Sequence, residues 1–448
     1  MAAPVIVTGA SSVQGAVSGE ATAQGAGTGD KAHHKKGGGF VNPWESFKDP
    51  GRGPTTLWNA YKSWESHPVP SLDLLPQRRE PDFAPPAALS SDAERSAWSD
   101  DLKATWLGHA CFLVEFPAPA AGDPHAEGGG GKGGERRRGF RVLFDPVWSH
   151  RCSPLSFAGP QRVTKPPIAL DELPHVDAVV ISHNHYDHLD IATLKHLYAA
   201  QPAGSVHFFA PLGNKEWFKA NIGVAEDEVT ELDWWEEREL RLGGNQEGAG
   251  EREGEGRLRV VCTPCQHVRR ARRVALLLRS SLNVPPDSQF TGRSLTDRND
   301  TLWASWAISS STGGKVWFGG DTGYRTVPRA PHDLATLPVC PEFSRIGERE
   351  GPFDLGMIPI GAYDPRWLFS SVHCAPEDSV ELHRETRCKK SIGMHWATWQ
   401  LTPEEMTEPP KRLRAACAAY GIGEAEFGVT DFGETVRCKV DGGGRRAE

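Results

Sequence analysis

Long apolar runs are missing from this chain. No stretch of 18 or more residues is continuously apolar, so no transmembrane helix is expected. Lys and Arg are absent from the first thirty positions, which instead carry Glu20 and Asp30. The opening MAAPVIVTGASSVQG also lacks a long apolar core, which argues against a secretory signal and an ordinary mitochondrial transit peptide. An excess of positive charge is lacking too. The 50 Lys and Arg stand against 58 Asp and Glu, a formal net charge of −8, so nucleic acid is not an expected partner. No internal repeat of fixed period occurs. Nine scattered cysteines, an odd number, point to reduced thiols and an intracellular setting. Cys262 and Cys265 form a C-x-x-C, but no second such pair follows to complete a zinc ribbon.

What is present organises the chain around one large domain. At 448 residues, two or three domains would be the simple expectation. Several stretches, however, have compositions that do not favour a core. Residues 1–39 are rich in Gly, Ala, Ser and Thr and end in KAHHKKGGG, which predicts a disordered tail; weak contact of His33, His34, Lys35 and Lys36 with anionic lipid is the sharper alternative. Residues 40–97, opening with FVNPWESF and rich in Pro and Trp, predict an arm that packs across the domain. The catalytic domain is expected over 98–440, with flexible inserts at 117–139 and 243–256 where glycine and charge dominate. Short apolar strands recur through it: 104–116, FRVLFDP, Asp177–Ser182, SVHFFA, RLRVVCT, TLWASWAISS, KVWFGGDTGY, FDLGMIPIG and KKSIGMHWAT. IATLKHLY, after the Asp177–Ser182 strand and a polar loop, reads as an amphipathic helix. Strand, polar loop and helix in that order predict an α/β layered fold with its site at the strand ends.

The sharpest chemical signal lies in that polar loop. His183, His185, Asp187 and His188 put four potential ligands within six residues, directly after a strand. Imidazoles and a carboxylate without thiolates suit zinc or a neighbouring first-row metal. Downstream, His267 in TPCQHVRRA, Asp321 in WFGGDTGY and His395 in IGMHWATWQ each sit at or just beyond a strand-like run.

H-x-H-x-D-H followed by His, Asp and His resembles the metallo-β-lactamase superfamily. That resemblance implies a four-layer αβ/βα sandwich and two Zn2+ per chain. His183, His185 and His267 would bind one, Asp187, His188 and His395 the other, and Asp321 would bridge them. The flanking text TWLGHACFLVEF, LFDPVWSHRCSP, PCQH, LWASWAI, FGGDTGY, IPIGAYDPRW and MHWATWQLTPEE is similar to the N-acyl-phosphatidylethanolamine-hydrolysing phospholipase D family, over roughly residues 40–435 without the inserts. Val268 departs from it, since that family more often has an aromatic there.

The family resemblance implies a zinc phosphodiesterase. It would act on a phospholipid at a membrane surface and release N-acylethanolamine and phosphatidic acid. The chain would be cytoplasmic or peripherally bound to an internal membrane, with mitochondrial association left open and a homodimer compatible. Asp187 and Asp321 would serve catalysis. Asp145 would orient a ligand or the water, against a simple turn Asp before Pro146. His373 would hold phosphate or protonate the leaving alkoxide, against a surface histidine. His109 is a site neighbour or a buried structural residue. Trp396 and Trp399 are core, or the wall of an acyl groove. Arg366 and Trp367 meet phosphate or lipid, or are solvated. Competing readings are a lactonase or sugar-phosphate hydrolase of the superfamily, a nuclease, and a non-catalytic binding protein.

Overall fold

Residues two apart along a strand face the same way, and between Ala104 and Ala210 that period sorts side chains into two cores. Trp106, Phe112, Val114, Val142, Phe144, Val180 and Phe209 share one apolar cluster with the second half of the chain. Their neighbours Leu107, Cys111, Leu113, Leu143, Val179, Ile181 and Phe208 share another. A sheet buried on both faces follows, which is why its strands read as continuous apolar runs and not as alternating ones.

The computed structural model describes residues 5–9, 31–51, 54–62, 67–83, 100–118, 138–153, 157–242, 256–267, 300–330 and 332–440. In chain order the strands are β1 (Val5–Gly9), β2 (Leu102–Gly108), β3 (Cys111–Glu115), β4 (Arg141–Phe144), β5 (Ala178–Val180), β6 (His207–Pro211), β7 (Val229–Leu232), β8 (Glu237–Leu242), β9 (Arg257–Thr263), β10 (Ser305–Ser310), β11 (Lys315–Phe318), β12 (Leu355–Pro359), β13 (Ser391–Met394), β14 (Phe427–Gly428) and β15 (Thr435–Cys438). The helices are α1 (Pro54–Lys62), α2 (Ile191–Ala200), α3 (Lys215–Asn221), α4 (Glu342–Arg349), α5 (Arg366–Phe369), α6 (Pro376–Glu385) and α7 (Glu408–Ala419).

Two mixed sheets result. One has the order β1-β8-β9-β10-β11-β12-β13-β14, the other β15-β2-β3-β4-β5-β6-β7. Each begins antiparallel and turns parallel: the change falls at β11–β12 in the first and at β4–β5 in the second. The shared core lies between the sheets, where Phe144 meets Phe318 with ring centroids 4.7 Å apart. Leu194 and Leu197 of α2 and Trp217 and Phe218 of α3 cover the outer face of the second sheet. Outside the first sheet, Phe343 of α4 packs edge-on against Trp317 of β11. Helix, sheet, sheet and helix are the four layers of a metallo-β-lactamase αβ/βα sandwich. Among the described residues, no helix is long and apolar enough to cross a membrane.

The expected tail over 1–39 is corrected at two places. Val5–Gly9 is an edge strand, antiparallel to β8 in register from Val5↔Leu242 to Gly9↔Arg238. The β-branched run VIVT accounts for it. Lys31–Phe40 folds back as a turn in which His34 bridges Phe40. His33 is buried there and not solvated, because Asp233 and Trp234 meet it. Residues 10–30 lie outside the described residues, as do 84–97 of the arm, 119–137 and 243–255 of the two inserts, and Val268.

Candidate metal centre

Each site residue leaves a strand end or a strand turn. The loop after β5 carries His183–His188. Asp190 closes it by capping α2, accepting from Ala192 N while also holding Ser149 N and the Thr193 hydroxyl. Asp145 follows β4, His267 follows β9, Asp321 follows β11 and His395 follows β13. His109 sits in the β2–β3 turn. Close approach needs glycine at two points. A Cβ on Gly320 would lie 2.6 Å from Ser182 Cβ, and one on Gly361 would lie 2.3 Å from the His395 carbonyl oxygen. His109, Asp145 and His395 have φ of 53°, 37° and 64°, a left-handed conformation that is unfavourable for non-glycine residues. Such strain gathers where surrounding structure fixes a functional geometry.

Two groups of ligand atoms converge. His183, His185, His267 and Asp321 form one; His109, Asp187, His188 and His395 form the other. Asp321 lies between them. Its Oδ2 is 3.6 Å from His183 Nε2, while its Oδ1 is 3.2 Å from His188 Nε2 and 3.0 Å from His395 Nε2. Asp187 Oδ2 is 3.6 Å from His395 Nε2 and 3.2 Å from His109 Nε2. Both groups are buried.

The surrounding hydrogen bonds choose which nitrogen of each ring faces inward. His188 Nδ1 donates to Asp145 Oδ2 at 2.6 Å. Ser182 donates to Asp145 through its backbone N and its hydroxyl, at 2.7 and 2.6 Å. Its oxygen then accepts from His183 Nδ1 at 2.9 Å. His267 Nδ1 donates to the Val372 carbonyl at 2.9 Å. In all three rings the Nε2 lone pair is therefore left for the centre, which is the usual second-layer arrangement of metal-binding histidines.

These inward atoms fit cations and little else. His183 Nε2 and His185 Nδ1 face each other at 2.8 Å, and His267 Nε2 stands 3.4 Å from the same His185 nitrogen. Lone pairs so opposed repel unless a proton or a cation lies between them. His188 Nε2, His395 Nε2 and Asp321 Oδ1 are buried with no hydrogen-bond partner. Leaving such atoms unpaired costs about 1–3 kcal/mol each. Electrostatics agree. Burial would lower the His395 pKa, but Asp321 and Asp187 outweigh it and hold the ring at about 9. His183 is pushed well below the usual range by burial and by His188, His185 and His267. Burial opposes ionisation of Asp321, yet His188, His395 and His373 keep it well below the usual carboxylate range. The carboxylates thus draw positive charge toward His395 while His183 stays a neutral imidazole with a free lone pair, a combination that suits divalent cations.

The remaining candidates divide. Asp145 is buried behind His188, its carboxylate taken up by His188 and Ser182. It is a positioning residue that orients the His188 ring, as expected of an Asp that holds a ligand, and not a simple turn former. His373 Nδ1 stands 3.9 Å from Asp321 Oδ2, and the pair forms a further ligand group with His395. Burial holds the His373 pKa near 3. His109 joins the second group, held at about 3 by burial and by His395 against the pull of Asp187. Its LGHACF context, at the end of a strand, was the available signal. Arg366 is neither solvated nor at the site: it binds buried Asp378 at 2.6 Å. Cys262 and Cys265 hydrogen-bond to the carbonyls of Leu232 and Asp321 and, among the described residues, form no metal group. All nine cysteines are free and buried. Trp396 and Trp399 are buried in the core, as expected, and also border a cleft. Trp396 stacks on Trp106, Trp399 meets His109 edge-on, and both line a cleft with His395, Leu401 and Met406.

Sequence reasoning missed the hold that the N-terminal arm has on the third histidine. Asn42 Nδ2 donates to the His267 carbonyl at 2.7 Å, and Ser46 donates to Gln266 Oε1 at 2.6 Å. Gln266 in turn donates to the Ser371 carbonyl.

A two-part ligand set at the strand ends of an αβ/βα sandwich defines a metal-dependent hydrolase, and the chain belongs to the β-lactamase superfamily. The family model for the "Beta-lactamase superfamily domain" matches residues 140–396. Within that superfamily the chain resembles the N-acyl-phosphatidylethanolamine-hydrolysing phospholipases D. It is 35% identical to N-acyl-phosphatidylethanolamine-hydrolyzing phospholipase D 1 of Caenorhabditis elegans, over 74% of this chain and 75% of that protein. It is 36% identical to an uncharacterized protein of Mycobacterium tuberculosis, over 75% of this chain and 67% of that one. The mitochondrial N-acyl-phosphatidylethanolamine-hydrolyzing phospholipase D of Saccharomyces cerevisiae is 27% identical, over 69% and 50% of the two chains. Among solved structures, an isothiocyanate hydrolase from Delia radicum gut bacteria is similar at a TM-score of 0.45 and 15% identity, covering 75% of this chain and 98% of that one.

Proposed function

We propose that the protein is a two-zinc phosphodiesterase that cleaves N-acyl-phosphatidylethanolamine to N-acylethanolamine and phosphatidic acid at a membrane surface. One observation carries this reading: His188 Nε2, His395 Nε2 and Asp321 Oδ1 are buried, converge, and have no hydrogen-bond partner in a centre whose donors are all imidazole and carboxylate. His183, His185 and His267 would hold one ion, Asp187, His188 and His395 the other, with Asp321 between. When bound, such ions acidify a water to a pKa of roughly 7 and offset charge on a phosphoryl oxygen.

The protein's own groups do the rest. Asp145 and Ser182 fix the tautomers of His188 and His183. His373, beside Asp321, would meet a phosphoryl or leaving-group oxygen. Asp187 and Asp321 accept or hand on a proton at the centre. Trp396, Trp399, Leu401 and Met406 supply an apolar wall next to His395, suited to an acyl chain. Exposed Val69, Leu72 and Leu74 follow His67, whose carbonyl accepts from cleft residue Gln400. An apolar rim beside the mouth supports docking on lipid.

The test compares wild type with Asp321→Asn and His185→Ala. Zinc content is measured, together with release of N-acylethanolamine from vesicles, with a lactone and an RNA as competing substrates. Wild type should hold the zinc pair and turn over the lipid, and both variants should lose metal and activity. Lipid turnover surviving in either variant sinks the reading, and turnover of the lactone or the RNA alone transfers it to another substrate class.

A further inference from the structure

We propose that His33, His34 and Asp233 form a third metal site, for a zinc-class divalent cation, that fastens the N-terminal segment onto the hydrolase body. His33 Nε2 lies 2.6 Å from Asp233 Oδ1 and His34 Nε2 lies 2.8 Å from Oδ2. The three ligand atoms are mutually close, and none of the three residues belongs to the catalytic groups. Two imidazoles and one carboxylate suit zinc and its neighbours.

The carboxylate is fixed in advance. Trp234 N donates to Oδ1 at 2.9 Å, and Asp233 N is tied to Glu236 at 3.0 Å. The next residue, Trp235, has φ of 69° and donates its N to the Cys262 carbonyl. His33 is stacked on Trp234 at 4.2 Å, and Trp44 stacks on that same indole at 5.2 Å. This aromatic shell restricts the ring as second-layer groups do around zinc. His34 is partly exposed, which gives an ion access.

A hydrogen-bonded staple would need only one imidazole. Here two successive rings, 4.5 Å apart, aim the same nitrogen at the two oxygens of one carboxylate. Bond lengths of about 2.0–2.1 Å in a tetrahedral zinc site put ligand atoms roughly 3.3 Å apart. Reaching that spacing means opening the contacts by roughly 0.5–0.7 Å. The catalytic group needs the same adjustment, since His183 and His185 face at 2.8 Å. Lys31, 63% exposed and 3.1 Å from Oδ2, can swing into solvent as the cation enters. The segment held this way leads directly to Asn42 and Ser46, which brace the His267 loop.

The experiment uses the full chain without a histidine tag, dialysed to equilibrium against buffered micromolar zinc, with bound metal counted by mass spectrometry. Wild type should hold one zinc more than the His33→Gln/His34→Gln double variant, whose side chains keep a donor for Asp233. With the catalytic pair intact, the counts are three and two. Tryptic cleavage at Lys35 and Lys36 should be slowed by zinc in wild type and not in the variant. The difference of one reads this site even if the catalytic pair holds some other metal. Equal counts in the two proteins overturn the proposal, as does zinc protection that survives in the variant.

Discussion

Histidines within the strands and helices and histidines at the strand ends are equally hidden, yet they differ in one respect. His207 on β6 and His383 on α6 are 2% and 3% exposed; His188 and His395 are 0% and 2%. The first pair is satisfied by the fold itself. His207 Nε2 meets the Thr230 hydroxyl and His383 Nδ1 meets that of Ser391, both at 2.8 Å. The second pair has inward nitrogens that face Asp321 but form no hydrogen bond. Burial of a histidine is therefore no sign of function in this molecule; a buried imidazole nitrogen left without a hydrogen bond is. The contrast also explains the local charge. Burial pushes His207 down to about 3, whereas Asp321 and Asp187 reverse that pressure at His395.

The largest effect that separates the two classes is on turnover. His188→Ala removes an inward nitrogen and should lower hydrolysis by about 10³-fold, since bound metal contributes several kcal/mol to the transition state and each 1.36 kcal/mol is tenfold. His207→Gln should leave it unchanged. Steady-state rates on the same lipid vesicles make the comparison, and a catalytic defect in the His207 variant would break it. Asp145→Asn comes next. It keeps the shape but cannot accept from both His188 and Ser182 as the carboxylate does. Zinc affinity should fall about 10–100-fold, the usual cost of losing such a partner. Titration against a zinc chelator reads it.

The satisfied class makes its own prediction, in pH. The folded-state pKa of His207 is lowered to about 3 by burial and then by Lys215, against an ordinary value near 6.5. The unfolded chain binds the proton first as pH falls, so this stabilisation is present above about pH 6.5 and is lost progressively toward pH 3. Between pH 7 and pH 5 the loss is about 2 kcal/mol from this one group. His207→Gln should flatten that part of the stability profile in denaturant titrations, at some cost in absolute stability. An unchanged slope would show that His207 takes up its proton without unfolding.

How much of this could be read from sequence follows the range of the interactions. H-x-H-x-D-H is local: four ligands on one loop, started by an apolar strand and closed by Asp190 as a helix cap. The strand-end positions of His267, Asp321 and His395 were legible for the same reason, because each apolar run stops just before its ligand. VIVT was also legible in principle, and the glycine-rich text around it hid the strand. Partners distant in sequence left no local trace. Arg366 looked free because buried Asp378 faces it only in the fold. His33 and His34 looked solvated because Asp233 is 200 and 199 positions away. Asp145 was legible as an orienting residue, but the turn before Pro146 remained an alternative, since its φ of 37° and its two partners are tertiary facts.

The arm offers the smallest and most discriminating test of the contrast. Asn42 donates to the carbonyl of His267, 225 positions away, so it touches the backbone of a ligand and not its ring. His267 Nδ1 remains held by Val372 whether or not Asn42 is present. Asn42→Ala should therefore cost about 1 kcal/mol, the net worth of one hydrogen bond, and zinc affinity should change only a few-fold. If unpaired inward nitrogens define the centre, strength of metal binding must follow the rings and not their tethers. A loss of zinc in Asn42→Ala as large as that in Asp145→Asn would mean that the backbone brace, and not the choice of ring nitrogen, sets the affinity of the three-histidine half.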